Sequence, residues 1–328
     1  MTLVSAQNPA AFNNAHLPRL FQVSDDLADC AQRKYLSSIR LHIISLLGAS
    51  LTQMALSLLG YLQEKSILIA PPLTGKALNV LLGTFVLMIL LTRFILRQRH
   101  WEKIWYHSRT TAEQVRRLTW QYMMGLNLAG DPDSTDPPAA RRAFLAEIAT
   151  LDNQWTSRVS ASANLADARL QAPEVTPFMD ARRNESPADR QRFYREQRLQ
   201  EQAVWFDAKA KLNNRRARQF GWFQITAEAL AALVAVLFAV EYLGFRWSAL
   251  MWPLLTIAAS VLAWIGYRRY AELADSYTQT AEQLHHLLED LKLCTEAADA
   301  DVQFAHLVRK TEGLLARENS LWITRRGF

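Results

Sequence analysis

The sequence predicts an all-α membrane protein with two transmembrane helical hairpins and long cytoplasmic helices. Half of its 328 residues are hydrophobic, yet the mean hydropathy is only −0.07, because the apolar residues are collected into four long blocks between charged stretches. Only 11 Gly and 11 Pro are present, which disfavours an architecture of short strands and turns. No segment shows the apolar–polar alternation that is typical of a half-buried strand.

The first two apolar blocks predict a hairpin with spans at about 41–62 and 77–96. Each reaches the length of about 20 residues that a helix needs to cross the roughly 30 Å hydrocarbon layer. A short turn containing Pro71, Pro72 and Gly75 joins them. The second span is almost uninterrupted by polar residues, whereas the first carries Gln53, so a buried core helix stays the alternative for the first.

The other two blocks predict a second hairpin with spans at about 223–243 and 248–267. The link between them, Gly244 to Trp247, is tighter still. The third span carries Glu228, and for it too a buried core helix is the alternative.

Basic residues give these spans an orientation, because Lys and Arg stay on the cytoplasmic side of most inner-membrane proteins. The flanks hold Arg33, Lys34, Arg40, Arg93, Arg97, Arg99, Arg215, Arg216, Arg218, Arg268 and Arg269, and the two turns hold only Lys65, Lys76 and Arg246. We therefore expect a multi-pass inner-membrane protein with both termini cytoplasmic and without a cleavable signal peptide. The basic residues beside the spans account for most of the net charge of +6, so no direct nucleic-acid binding is expected.

The order of segments predicts two membrane domains, at 1–126 and 188–328, joined by a cytoplasmic linker at 127–187 that contains a helix over about 139–165. Each half has an approach helix, a hairpin and a cytoplasmic helix that continues out of its second span. Thr-Ala-Glu-Gln at 111–114 recurs at 280–283, which favours a duplication. We expect residues 172–187 to be irregular, and the apolar face of a closing helix over about 301–321 to need partners in a bundle.

Long runs of the second half, at residues 175–179, 190–194, 198–213 and 312–326, carry a family pattern. They resemble the bacterial SLATT family, whose name stands for SMODS and SLOG-associating two-transmembrane effector. Residues 112–113 and 120–125 are similar to the amino-terminal member of a tandem form of this family. The positions that carry the family motif are Met179, Tyr194, Arg198, Gln202, Trp205, Lys209, Asn213, Glu312, Arg317, Glu318 and Trp322.

This resemblance implies an effector of a bacterial antiphage conflict system. It implies a homo-oligomer in the lipid bilayer that forms a pore or otherwise permeabilises the membrane when a partner protein that senses or generates a nucleotide reports infection. It implies neither catalytic residues nor a cofactor. A membrane scaffold or signalling partner that does not conduct ions is the alternative.

Polar and small residues fall on one face of several spans, where they either line a pore or pack helices together. The candidates are Ser45, Thr52, Gln53, Ser57, Glu228, Thr256 and Ser260. Glu228 is the strongest single candidate for a functional residue, because an ionised carboxylate in hydrocarbon costs several kcal/mol unless it is paired or hydrated. Pairing with Arg218 or with a neighbouring helix is its structural alternative.

Enzymatic residues are not apparent. The sequence lacks GxGxxG, GxxxxGK[ST], GxSxG and HExxH motifs. His285 with Glu289 and His286 with Asp290 form pairs four residues apart that could share a metal, but a solvated polar helix face explains them as well. Since the two cysteines also lack metal-site or disulfide spacing, we expect no enzyme, no metal and no cofactor.

Overall fold

The computed structural model describes residues 12–67, 71–126, 137–159, 172–239, 251–294 and 300–324. Of these residues 92% are helical and none forms a strand, which confirms the all-α prediction. Ten α-helices follow one another along the described chain: α1 (Arg19–Glu64), α2 (Pro72–Arg99), α3 (Trp101–Met123), α4 (Pro137–Val159), α5 (Pro177–Arg183), α6 (Pro187–Tyr194), α7 (Glu201–Ala239), α8 (Met251–Arg268), α9 (Tyr270–Cys294) and α10 (Ala300–Thr324).

Three helical stretches are long and apolar enough to cross a membrane: α1, residues 73–99 of α2, and the continuous helix from Pro187 to Leu237. The three predicted spans that they contain are thereby confirmed as membrane-crossing candidates. The fourth falls on α8, and its first residues, 248–250, lie outside the described residues together with the predicted link 244–247 and the end of the third span. That span therefore stays a prediction.

The helix that was expected to continue out of the second span is interrupted after each hairpin. His100 separates α2 from α3 with φ 46°, and Arg269 separates α8 from α9 with φ 51°. Both residues adopt the left-handed conformation, which costs a non-glycine residue roughly 1–2 kcal/mol. The same one-residue break therefore occurs at corresponding places of the two halves.

Residues 172–187, predicted to be irregular, contain the short helix α5 and the start of α6. Thr176 caps α5 by accepting a hydrogen bond from the backbone N–H of Met179, and Ser186 caps α6 by accepting one from Asp189. In each helix a proline occupies the first turn, where its missing N–H costs nothing. The prediction of an irregular segment was wrong. The many turn-forming residues of this segment indicated a loop, although each helix begins with a capping residue followed by proline.

Helix α6 passes into α7 through a π-helical turn at Arg195–Gln200. In such a turn the backbone hydrogen bonds skip five residues instead of four, and π turns occur frequently at functional sites. The turn carries Arg198, a residue of the family motif.

The chain forms two compact units, and each contains segments of both halves. We call Met1–Gln32, Trp101–Ala210 and Asp275–Phe328 the motif unit, and Arg33–His100 and Lys211–Ala274 the span unit. The predicted domain boundaries at 126/127 and 187/188 stay predictions.

The motif unit has an apolar core in which α3 packs against α4, α5 and α10. Its largest fully buried side chains are Leu17, Leu20, Phe21, Tyr106, Trp120, Met123, Phe144, Ile148, Met179, Tyr194, Leu199 and Leu284. Phe304, Leu307 and Val308 of α10 are buried in the same core, so part of the face that was expected to need other copies is covered within one chain. Leu314 and Leu315 are half-buried, and the side chain of Leu321 lies outside the described residues.

In the span unit, α1 lies antiparallel to both α2 and α8. His42 hydrogen-bonds Thr92 of α2 (3.0 Å), and a methyl group in place of the Gly48 hydrogen would collide with Phe85. On the α8 side, the hydroxyl of Ser50 donates to Thr256 (3.1 Å). Many large apolar side chains elsewhere on these helices are exposed, among them Val80, Leu87, Leu90, Phe94, Trp222, Ile225 and Leu233, as expected of a surface that meets lipid.

Candidate functional site: the buried motif cluster and the polar groups of the spans

A buried ion pair joins the π turn to the closing helix. The guanidinium of Arg198 donates through Nε to Glu312 Oε1 (2.9 Å) and through Nη2 to Oε2 (2.8 Å), and the two side chains are 5% and 0% exposed. The hydroxyl of Tyr194 donates a third hydrogen bond to Oε1 (3.0 Å). The two carboxylate oxygens accept from two N–H groups on one edge of the guanidinium, so each charge is compensated by the other. Either charge buried without its partner would be very costly.

Electrostatics fix the protonation of this cluster. Burial by itself lowers the pKa of Arg198, but the adjacent Glu312 carboxylate outweighs it and raises that pKa, so the guanidinium stays charged. Burial and the same carboxylate raise the pKa of Tyr194 well above its ordinary value, so its phenol remains a hydrogen-bond donor. The cluster therefore connects α10 to the start of the long helix that contains α7 through an ion pair in which both groups are charged.

Trp120 brings the motif of the first half to this pair. Its ring lies 5.6 Å from the Arg198 guanidinium carbon and packs against Phe193 (5.6 Å between centroids) and Tyr194 (5.7 Å). A guanidinium over an indole face gains about 2 kcal/mol when both groups are desolvated, as they are here. The family-like runs 120–125 and 190–198, far apart in sequence, thus meet in one core.

A second charged cluster was missed by the sequence analysis. Glu113 binds Arg109 (2.7 Å) and Arg116 (3.1 Å), and Arg109 also binds Asp25 of α1 (2.6 Å). Burial alone raises the pKa of Glu113, but Arg116, Arg109 and Arg198 together lower it below its ordinary value. The spacing of three and four residues along α3 was the available signal, but such spacing is also common on solvated helix faces.

The closing helix contributes a further buried carboxylate, Glu318. It accepts hydrogen bonds from the hydroxyls of Ser276 (2.6 Å) and Thr280 (3.5 Å) on α9. Thr280 belongs to the second copy of the repeated Thr-Ala-Glu-Gln sequence, and the threonine and alanine of both copies are buried. The repeat therefore occupies equivalent core positions in α3 and α9.

The remaining motif positions divide between core and surface. Met179 is fully buried, Asn213 is buried, Gln202 is half-buried and Arg317 is exposed. Trp205 is exposed and lies beneath the Lys209 ammonium at 5.4 Å. The side chain of Trp322 lies outside the described residues.

Two arginines, Arg183 of α5 and Arg190 of the run 190–194, lie at the end of α3. Gly125 has φ 85°, and a Cβ atom there would collide with the Arg190 guanidinium. Arg183 donates to the backbone carbonyl oxygens of Tyr122 (2.6 Å) and Leu126 (3.3 Å). These contacts explain why glycine is needed at the end of the Trp120–Gly125 run.

The polar residues of the spans fall into two groups. Ser45, Thr52 and Ser260 are buried within the span unit, and Thr256 accepts the hydrogen bond from Ser50, so these four contribute to helix packing in one chain. Ser57 is half-buried and donates to the Gln53 carbonyl oxygen (3.1 Å).

The second group is exposed on the spans and consists of Gln53 and Glu228. Glu228 accepts a hydrogen bond from Gln224 (2.9 Å), one turn earlier in α7. No cation lies within ion-pair distance of it in the described part of the chain, so the structure does not show the alternative in which it pairs with Arg218. The two most polar span residues therefore face outward.

One member of each histidine pair considered for a metal site has another partner. His285 Nε2 lies 2.9 Å from Asp207 on α7, and Asp290 pairs with Lys310 at 3.5 Å. The side chains of His285 and Asp290 thus connect neighbouring helices, in place of the pairs four residues apart that the sequence suggested. Over the described residues no group of three or more His, Cys, Asp or Glu side chains has a metal-binding arrangement.

Comparisons with known proteins agree with these motifs. Residues 18–191 match the family model described as SMODS and SLOG-associating 2TM effector domain 3, and residues 194–322 match effector domain 1 of the same name. Together the two matches cover most of the chain in tandem. No curated protein and no solved structure was found to match it.

Proposed function

The chain belongs to the SLATT family, as a tandem of two domains, and we propose that it is the membrane effector of a bacterial conflict system that oligomerises and permeabilises the inner membrane. SLATT domains are two-transmembrane effector domains associated with conflict systems. In the proposal both termini are cytoplasmic, and a partner protein that senses or generates a nucleotide triggers assembly.

The observation that carries the proposal is the outward position of Gln53 and Glu228 on helices that could cross a membrane. An amide and a carboxylate that face hydrocarbon each cost several kcal/mol, and contact with another copy or with water removes that cost. Assembly of several chains around a hydrated axis would provide both. The buried residues Ser45, Thr52 and Ser260 take no part in this, because they already pack helices within one chain.

The motif unit supports a route by which a cytoplasmic event reaches the spans. Arg198 and Glu312 fix the closing helix to the residues just before α7, and α7 runs on without interruption into the third predicted span. A partner that binds α10 would therefore act on the same continuous helix that carries Glu228.

Cysteine crosslinking in native membranes tests the assembly. In a Cys30→Ser/Cys294→Ser background, Gln53→Cys should form disulfide-linked dimers, because this face is expected to meet another copy. Leu87→Cys is the matched control, since Leu87 is 66% exposed on an apolar face of α2. Equal crosslinking at both positions, or none at position 53, would contradict the proposal.

Ion flux tests the conducting function. Purified protein in vesicles should release K⁺, and Glu228→Gln should change the flux by at least about twofold while crosslinking at position 53 persists, because a carboxylate beside a narrow path exerts a strong field on passing ions. Assembly without flux, under the conditions that trigger the intact system, would favour the non-conducting scaffold.

A further inference from the structure

Three arginines of the span unit surround two aromatic rings near the end of α8. The guanidinium carbons of Arg40 and Arg268 lie 5.6 Å and 5.7 Å from the Trp264 ring. Those of Arg268 and Arg216 lie 5.4 Å and 5.9 Å from the Tyr270 ring. We call these five residues the arginine–aromatic cluster.

The cluster lies at the depth of lipid headgroups if the spans cross the bilayer as proposed. Arg40 directly precedes the first predicted span, and Trp264 and Arg268 lie at the end of the fourth. From the Ser50–Thr256 contact to the Arg40–Trp264 contact the chain runs backward along α1 and forward along α8, so the two helices are antiparallel and these ends lie together. Tryptophan and arginine are the residues typical of this interfacial layer.

The positive charge of the cluster is not balanced by the protein. Within the described residues, no carboxylate lies within ion-pair distance of Arg40, Arg216 or Arg268. The neighbouring Arg269 binds Glu272 through Nε (3.2 Å), and its Nη1 has no acceptor in the described part of the chain. The guanidinium groups thus retain donors for an anion.

The geometry distinguishes this cluster from the general excess of basic residues beside membrane spans. A guanidinium held against an aromatic ring keeps its N–H edge free, and that edge matches two oxygens of a phosphate group. Arg268 donates one hydrogen bond through Nε to the Tyr270 hydroxyl (3.2 Å), and its terminal nitrogens remain available. Arg93, Arg97 and Arg99 on α2 are equally close to a span, but they are exposed and have no ring partner in the described chain.

We propose that the arginine–aromatic cluster binds the phosphate of an anionic phospholipid headgroup. A lipid is favoured over a soluble phosphate because the cluster lies at the boundary of the apolar surface, where an acyl chain can pack against exposed side chains such as Leu262. The site does not depend on pore formation, since it needs only the insertion of the spans.

Lipid titration of the full-length protein in detergent micelles tests the site. Native mass spectrometry should show dioleoylphosphatidylglycerol bound about tenfold more tightly than dioleoylphosphatidylcholine, in line with the worth of several cations at an anionic headgroup. The triple variant Arg40→Gln/Arg216→Gln/Arg268→Gln should lose this preference. The matched control Arg93→Gln/Arg97→Gln/Arg99→Gln removes the same charge and should keep it.

Several results would overturn the proposal. One is an equal loss in both triple variants, which would assign the effect to net charge. Another is displacement of phosphatidylglycerol by millimolar inorganic phosphate, which would indicate a soluble-anion site. If the glutamine triple variant does not fold, Arg40→Lys/Arg216→Lys/Arg268→Lys keeps the charge and loses the planar edge; it should bind phosphatidylglycerol several-fold more weakly, and binding equal to the wild type would refute the site.

Discussion

Removal of Arg198 leaves the Glu312 carboxylate buried without its counter-ion. Arg198→Met should therefore lower the free energy of unfolding by about 3–5 kcal/mol, measured by urea titration in detergent with tryptophan fluorescence. The double variant Arg198→Met/Glu312→Leu should recover much of this loss, because two apolar side chains can replace a buried pair. Arg192→Met is the control: its pair with Asp189 is 64% and 47% exposed and should cost at most about 1 kcal/mol.

The phenol of Tyr122 gives the motif unit a pH dependence on the alkaline side. Its hydroxyl donates to Asp180 (2.8 Å), and burial followed by this hydrogen bond raises its pKa from 10.0 to about 12. Between these two values the unfolded chain loses the proton while the folded chain keeps it, so stability that is complete below pH 10 is lost as the pH rises toward 12.

Comparison with Tyr122→Phe isolates this contribution from other alkaline titrations. The phenylalanine variant should be about 1 kcal/mol less stable than the wild type at pH 8, where the hydrogen bond is intact. The difference should shrink between pH 10 and 12, as followed by thermal unfolding at each pH. A constant difference would show that the two states share one Tyr122 pKa.

At the level of the helices, the break at His100 can be tested by glycine. His100→Gly should maintain or raise stability, by up to about 1 kcal/mol, because glycine adopts φ 46° without the penalty that other residues carry. His100→Val should lower it by about 1–2 kcal/mol, since a β-branched side chain is poorly suited to the left-handed region. Unfolding in detergent measures both.

Gln98→Gly is the matched control, because it places the same residue two positions earlier, inside α2. There glycine should cost up to about 1 kcal/mol. A loss of equal size at positions 98 and 100 would show that the left-handed break does not form in solution.

The long apolar helices could be predicted from the sequence, whereas the breaks between helices could not. A run of 20 apolar residues is long enough to cross a membrane as a helix, so α1, α2 and α7 were anticipated. Pro72 and Gly75 were expected in the turn before the second span, but α2 already begins at Pro72, because proline fits the first helical position. His100 and Arg269 carry no local turn signal, so the sequence does not mark these two left-handed residues. The short helix α5 was missed although its Thr176-Pro177 cap was visible.

The candidate site was predictable only where the resemblance supplied it. Tyr194, Arg198, Glu312 and Glu318 were expected as motif positions, but no local pattern indicates that Arg198 and Glu312, 114 residues apart, form one ion pair. The Glu113 cluster was missed for a different reason, because its spacing of three and four residues along α3 is also common on solvated helix faces. Sequence periodicity predicts which side of a helix is buried. It does not predict which residues pack against that side, because those residues come from distant parts of the chain.

At the scale of the whole molecule, the two halves should not be separable. Trp120 of the first half packs against Phe193 and Tyr194 of the second, and α3 packs against α10. Fragments 1–191 and 192–328 expressed singly should each be sensitive to limited proteolysis and co-purify when expressed together. A protease-resistant 192–328 fragment on its own would contradict this expectation.

The chain passes four times between the motif unit and the span unit, and the passages differ mechanically. Three of them, at 32/33 in α1, at 210/211 in α7 and at 274/275 in α9, lie inside uninterrupted helix, so backbone hydrogen bonds span each boundary. The fourth, at 100/101, directly follows the left-handed residue His100, where the helix is broken. The covalent path from one unit to the other is therefore helical at three places and non-helical at one, and a proline placed at 32, 210 or 274 would remove a helical connection that a proline at 100 would leave intact.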